Sequence, residues 1–211
     1  MKVVLFDAAN TLIHKPSIWD RIQEVLTKHK YIVPLSQLKE RHKILSEIIN
    51  FPDRTSRDFY LNFNAELLLS LGIIPTDDLL EELFENCTYQ PWVAFDDSNY
   101  LAELNIKKAI LSNFNASLYE LIGELIGENI FDEIIISENE KARKPELEFY
   151  QIAIDRLGVE PNEILYVGDS LKLDIIPAKK LGIRTLLIDR DGIYEYSTDR
   201  ISTFKELKNY I

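Results

Sequence analysis

The 211-residue sequence predicts an α/β fold with a second, all-helical unit. Three observations carry that expectation. Five short apolar runs are continuous rather than alternating, the pattern of parallel strands covered on both faces. Helical periodicity fills the gaps between the last four runs, and strand alternating with helix predicts α/β. The gap between the first and second runs holds only helix signal over roughly seventy residues, too long for a crossover.

The first strand is Val3–Phe6, ending on Asp7 in the stretch "VVLFDAANTL". From Ser17 to about Tyr89 the chain reads as four helices. Ile18, Ile22, Val25 and Leu26 form one apolar stripe; Leu38, Leu45, Ile48 and Ile49 form a second. Thr55 with Asp58 has the spacing to cap a third helix ending at Gly72, and Thr76 opens a fourth carrying Leu79, Leu80, Leu83 and Cys87. The expected division is a core of residues 1–14 and 93–211 around a helical unit of residues 15–92. Further strands are read at Ala109–Leu111, Glu133–Ile136, Ile164–Val167 and Thr185–Ile188. Helices are read at Ala116–Ile126 and Pro145–Leu157, the latter with proline at its first position and Gly158 just past its end. A Thr203-to-Glu206 capping box opens a final helix, Phe204–Ile211.

Composition narrows the function classes. The net charge of −11 disfavours nucleic-acid partners, although a lysine, a cation or a helix N-terminus can still override that field locally for a small anion. No apolar run reaches membrane-span length and no signal-peptide pattern opens the chain, so no membrane partner is expected. Cys87 is the only cysteine, which excludes an intrachain disulfide and a cysteine-rich zinc site. A reduced, cytoplasmic setting is expected, and a monomer is plausible.

Ligands of open parallel sheets bind beyond the carboxyl ends of the strands. Asp7 follows the first strand, Ser112 and Asn113 follow the second, and Lys144-Pro145 closes the loop after the third. "GDSLKLD", residues 168–174, follows the fourth. Pro177 cannot lie deep in a helix, which makes Asp174 the expected N-cap. Asp7, Asp169 and Asp174 in one crevice would repel one another unless a cation lay between them. With oxygen ligands and no nearby His or Cys, that cation is expected to be Mg²⁺. Ser112 and Lys144 suit the other side of a phosphate, as hydroxyl donor and point charge.

Asp7 with Thr11, Ser112, Lys144 before proline, and Gly168-Asp169 with Asp174 resemble the four motifs of the haloacid dehalogenase superfamily. The resemblance spans the whole chain, and the order and spacing of the set are specific. It implies a Rossmann-like core with an all-α cap domain inserted after the first motif. "SNFN" and "ARKPELEFY" also resemble the branch containing phosphoglycolate-phosphatase-like and dehalogenase-like enzymes. The implied activity is Mg²⁺-dependent hydrolysis of a small phosphorylated metabolite through an aspartyl-phosphate on Asp7. Mg²⁺ would be held by Asp7, Asp169 and the Ala9 carbonyl, with Asp174 ligating directly or through water. Lys144 and Ser112 would hold the phosphoryl oxygens, supported by Asn113 and Thr11.

One position departs from the family. Most of its phosphatases carry a second aspartate two residues after the nucleophile, which protonates the leaving group; here that position is Ala9. Turnover selective for good leaving groups is therefore expected. The alternative is a phosphate-binding or regulatory protein with little turnover. A hydrolase of carbon–phosphorus or carbon–halogen bonds ranks third: metal-free dehalogenases lack the Gly-Asp kept here as Gly168-Asp169, and phosphonatases, whose alanine matches Ala9, need a cap lysine whose usual surroundings are missing from this sequence.

Overall fold

The computed structural model of the chain describes residues 1–52, 54–197 and 199–211. It divides into two compact units, residues 1–14 with 93–211, and residues 15–92. The larger unit is built on a six-stranded sheet. Its strands are β1 (Val3–Phe6), β4 (Lys107–Ser112), β5 (Glu133–Ile136), β6 (Ile164–Gly168), β7 (Arg184–Ile188) and β8 (Arg200–Ile201). The order is β5-β4-β1-β6-β7-β8 and every pairing is parallel. The predicted α/β class is therefore the observed one. A separate antiparallel pair, β2 (Ile13–His14) with β3 (Val93–Ala94), lies where the chain leaves and re-enters this unit.

All four residues of β1 are buried, which is why its sequence does not alternate. Helices α5 (Ser117–Leu125) and α6 (Ser137–Glu140) are followed by α7 (Leu147–Leu157), which packs on one sheet face: Leu5, Leu111 and Tyr166 belong to one cluster with Phe149, Tyr150 and Ile154. Each fully buried large apolar side chain of this kind stabilises the fold by about 1.5–3 kcal/mol. On the helix itself, Tyr150, Ile154 and Leu157 are buried while Leu147 is exposed. Helix α7 also begins later than its proline suggested. A turn closed by the Glu146 N–H on the Arg143 carbonyl at 2.8 Å comes first, and Lys144 and Pro145 lie inside it. Gly158 does end α7, in the left-handed conformation at φ 64°.

The smaller unit contains α1 (Ser17–Lys28), α2 (Leu35–Ile48), α3 (Arg57–Ser70) and α4 (Asp77–Cys87). Ile22, Val25 and Leu26 of α1 meet Leu38, Leu67 and Leu79 in its core. On α2 only Leu38 is fully buried, and Ile48, expected on the stripe, is exposed. The cap of α3 is Ser56, not Thr55: the Ser56 hydroxyl accepts from the Phe59 N–H at 3.1 Å. Its exit uses Gly72 at φ 76°, with the Ile73 N–H returning to the Leu68 carbonyl. Thr76 caps α4 as its spacing predicts. His42 packs edge-on against Trp19 and Phe63, and burial pushes its pKa down to about 4.

Two C-terminal features escaped the periodicity. Strand β8 has only two residues, too few to show a pattern. The last helix keeps its Thr203–Glu206 capping box but winds as a 3₁₀ helix, Phe204–Asn209.

Candidate active site

The sheet order places β1 between β4 and β6, so the residues just past these three strands become neighbours. Phe6 is in register with Ile110 on β4 and with Val167 on β6. The Asp7 N–H extends the ladder by one bond, to the Val167 carbonyl at 2.9 Å. Asp7 is thereby delivered, nearly buried, between Ser112 and Gly168.

Lys144 reaches the same point from the loop before α7. Its Nζ lies 2.6 Å from Asp7 Oδ1, 2.7 Å from Asp174 Oδ1 and 3.3 Å from the Tyr166 hydroxyl. The ammonium has three N–H donors, and three acceptors face it. Ser112 Oγ donates to Asp7 Oδ1 at 3.2 Å. Lys144 and Ser112 thus converge on one oxygen of Asp7, and Oδ2 takes part in neither bond. Burial alone would pull the Lys144 pKa down, but the carboxylates of Asp174 and Asp7 outweigh it and hold the pKa above the ordinary lysine value. Burial raises the Asp174 pKa, Lys144 opposes that shift, and the Asp7 charge adds to it. Burial likewise raises the phenols of Tyr166 and Tyr150, reinforced by the charges of Asp174 and Asp7, so both remain neutral.

Asn113 grips the main chain of Lys144 on both sides. Its Oδ1 accepts from the Lys144 N–H at 2.8 Å, and its Nδ2 donates to the Lys144 carbonyl at 3.0 Å. This places Asn113 as a support for the lysine. Thr11 is fully buried, and among the described residues its Oγ1 has no hydrogen-bond partner.

Asp174 is not the N-cap that Pro177 suggested. A π-helical turn, Leu171–Ile175, intervenes before α8 (Ile176–Lys180). Ser170 caps that turn, its hydroxyl accepting from the Leu173 N–H at 2.9 Å. Pro177 has no N–H to offer the Leu173 carbonyl, and the Tyr150 hydroxyl donates to it instead. The helical backbone can therefore start well before the proline, and Asp174 turns inward from the middle of the wide turn. Its Oδ2 accepts from the Ser170 N–H at 2.9 Å while Oδ1 faces Lys144 and Tyr166. Single π turns of this kind concentrate at functional sites.

Tyr166 completes the site from outside the four motifs. Its hydroxyl touches Lys144, Asp174 and the Leu111 carbonyl at 3.3, 3.1 and 3.2 Å. The available signal was a lone hydroxyl in the buried run "ILYVG", since a buried tyrosine almost always finds a polar partner.

Gly168 is required by close approach. A Cβ there would stand 2.4 Å from Asp174 Cγ and Oδ2, so alanine must push Asp174 away. Gly168→Ala is expected to destabilise the protein by about 1–3 kcal/mol, as overpacking does, and to lower any activity that depends on Asp174. Urea unfolding within about 0.5 kcal/mol of the parent protein would contradict this.

Asp7, Asp169 and Asp174 each offer a carboxylate oxygen within 4.8 Å of the others. An all-oxygen set of this spacing fits a hard divalent cation.

A family-wide profile described as haloacid dehalogenase-like hydrolase matches residues 1–182. The chain belongs to that family. A crystal structure of a HAD phosphatase from Thermococcus onnurineus aligns with 99% of this chain and 97% of its own, at 27% identity and a TM-score of 0.59. The glyceraldehyde 3-phosphate phosphatase of Methanocaldococcus jannaschii is 39% identical over 87 residues, 38% of either chain. The (S)-2-haloacid dehalogenase 4A of Burkholderia cepacia is 35% identical over 85 residues, 40% of this chain and 36% of its own. The chain therefore matches well under half of either curated relative, and the two differ in the bond their names imply is cleaved.

Proposed function

We propose that this HAD-like hydrolase is a Mg²⁺-dependent phosphatase of a small phosphorylated metabolite, with Asp7 as its nucleophile. The observation that carries the reading is the convergence of Lys144 and Ser112 on one Asp7 oxygen, beside carboxylates spaced for a cation. A net charge of −11 disfavours a nucleic-acid substrate.

With Asp7 Oδ1 held by Lys144 and Ser112, Oδ2 is the oxygen left to attack phosphorus. The phosphorus–oxygen bond to the leaving group breaks as the Asp7–phosphorus bond forms. Lys144 and Ser112 then face the phosphoryl oxygens, supplying charge and a hydrogen bond where negative charge develops. Water next attacks the aspartyl-phosphate, returning Asp7 and releasing inorganic phosphate. Asp7, Asp169 and the Ala9 carbonyl would hold Mg²⁺, with Asp174 joining directly or through water. The metal's contribution is to offset repulsion between the carboxylate and the phosphate. Tyr166 and Asn113 keep Lys144 in place, and neither takes part in bond making.

Ala9 has no proton to give. Positioned acid–base help contributes about 10²–10⁴ in rate, and its loss weighs most on alkoxide leaving groups. Aryl and acyl phosphates are therefore the preferred class, and p-nitrophenyl phosphate is expected to turn over much faster than a simple alkyl phosphate. Glyceraldehyde 3-phosphate belongs in the alkyl arm of the comparison, on account of the named relative. Equal rates in the two arms would refute the preference, and indifference to Mg²⁺ would refute the metal site. The same Ala9 motivates a second reading, a phosphate-binding protein with little turnover. Stoichiometric capture of fluoroberyllate without hydrolysis across a panel of phosphometabolites would favour it.

A further inference from the structure

Arg190, in the loop after β7, sits in an environment that the chemistry above does not use. Its guanidinium lies 3.9 Å from the ring centre of Phe95 and 4.8 Å from that of Phe204. One terminal nitrogen donates to Asp97 Oδ2 at 2.9 Å. The other donates to the main-chain carbonyl of Thr11 at 3.1 Å. Asp97 is held in turn by the Thr203 hydroxyl at 2.7 Å and the Phe204 N–H at 2.8 Å.

Two of these partners lead back to the turn that follows Asp7, Thr11 as part of it and Phe95 through its N–H on the Leu12 carbonyl. Within that turn, the Ala8 carbonyl accepts from the N–H groups of Thr11, Leu12 and Ile13, and the Ile13 carbonyl accepts from Asn10. Asn10 is in the left-handed region at φ 61°, a conformation asparagine tolerates better than most residues. The Leu12 carbonyl is fastened from outside by the Phe95 N–H at 3.1 Å and the Ser98 hydroxyl at 3.0 Å. The Thr11 carbonyl is fastened by Arg190. The carbonyl of Ala9 is in none of these bonds. Phe204, beneath the guanidinium, packs edge-on against Phe6 at 5.6 Å, the residue immediately before Asp7. Arg190 is thus tied to the chain on both sides of Asp7, through Thr11 and through Phe204.

We propose that Arg190 is a positioning residue for the Asp7 turn. Its fixed planar fork joins Asp97 to the Thr11 carbonyl, and in doing so holds the Asp7 carboxylate and the Ala9 carbonyl in their working places. A lysine ammonium can donate to two acceptors but has no planar face to stack between two rings while separate terminal nitrogens reach Asp97 and the Thr11 carbonyl. The inference rests on Asp7 acting as nucleophile, and its test separates the two ideas.

Arg190→Met and Arg190→Lys are to be compared with the parent protein and with Asp7→Asn. Mg²⁺-dependent p-nitrophenyl phosphate turnover is one readout, and amide hydrogen exchange in a peptide covering residues 8–13 is the other. Misplacing a reacting group by about an ångström can cost about 10²-fold. Both Arg190 variants are expected to lose about 10- to 100-fold in kcat with KM within about twofold, methionine losing more. Exchange is expected to quicken in residues 8–13 and to stay unchanged in residues 133–136. The proposal is overturned by parent-like kcat in folded Arg190→Met, by exchange rising equally in both regions, or by failure of both variants to fold. The last two outcomes would make Arg190 a general stabiliser. If Asp7→Asn keeps its turnover, the nucleophile assignment fails, and the exchange measurement still reports whether Arg190 holds the turn.

Discussion

Asp7→Asn is expected to lower hydrolysis by about 10⁴–10⁶-fold while leaving the protein folded. Removing a nucleophile eliminates the covalent route, and single losses of that kind cost nearly as much as removing the whole constellation. The fold is expected to tolerate the change because the amide oxygen can still accept from Lys144 and Ser112, the two donors now on Oδ1. Removing one of two carboxylates beside Lys144 also relieves like-charge pressure on Asp174, whose pKa should fall accordingly. Lys144 keeps its 2.7 Å partner in Asp174, so the cost of an unpaired buried charge, about 3–5 kcal/mol, is avoided. Steady-state kinetics and a melting curve check both halves. Turnover within tenfold of the parent protein would remove Asp7 from the mechanism.

Ala9→Asp is expected to change activity in the opposite direction. Position 9 lies two residues past Asp7 and is partly exposed, and the backbone around it is held by the Ala8 and Ile13 bonds whatever its side chain. A carboxyl placed there adds a proton donor on the leaving-group side. Alkyl-phosphate hydrolysis should rise by about 10²–10⁴-fold and aryl-phosphate hydrolysis by much less, so the selectivity collapses as the rate climbs. Rates measured on p-nitrophenyl phosphate and an alkyl phosphate in the same preparation give this ratio directly. An unchanged ratio would mean that another group already serves as acid and base.

Much of the architecture was legible because burial on both faces leaves a plain trace. Val3–Phe6 and Glu133–Ile136 have the same bounds in the sequence reading and in the fold, and the other three predicted strands differ only at their ends. Ser17–Lys28 and Asp77–Cys87 were likewise visible as amphipathic stripes. Capping was legible where the side chain acts on its own turn, as at Thr76 and Thr203. It misled where a distant group intervened. Asp174 looked like a cap because Pro177 must stand near a helix start; the Tyr150 hydroxyl, from another helix, takes the carbonyl that the proline leaves unserved.

The candidate site divides in the same way. Asp7, Ser112, Lys144 and Asp169 could be picked out because each directly follows a strand or precedes a proline, which are local features of the chain. Their partners could not be. That Asn113 holds the Lys144 backbone, that Tyr166 is the third acceptor for its ammonium, and that Arg190 fastens the Thr11 carbonyl all depend on contacts across 22 to 179 positions. Sequence by itself determined the class of fold, the strands and the residue types at their ends, because burial and turn chemistry act over a few neighbours. Tertiary structure alone decided which donor faces which acceptor: a buried lysine or aspartate is stabilised only by groups that the sheet order brings beside it.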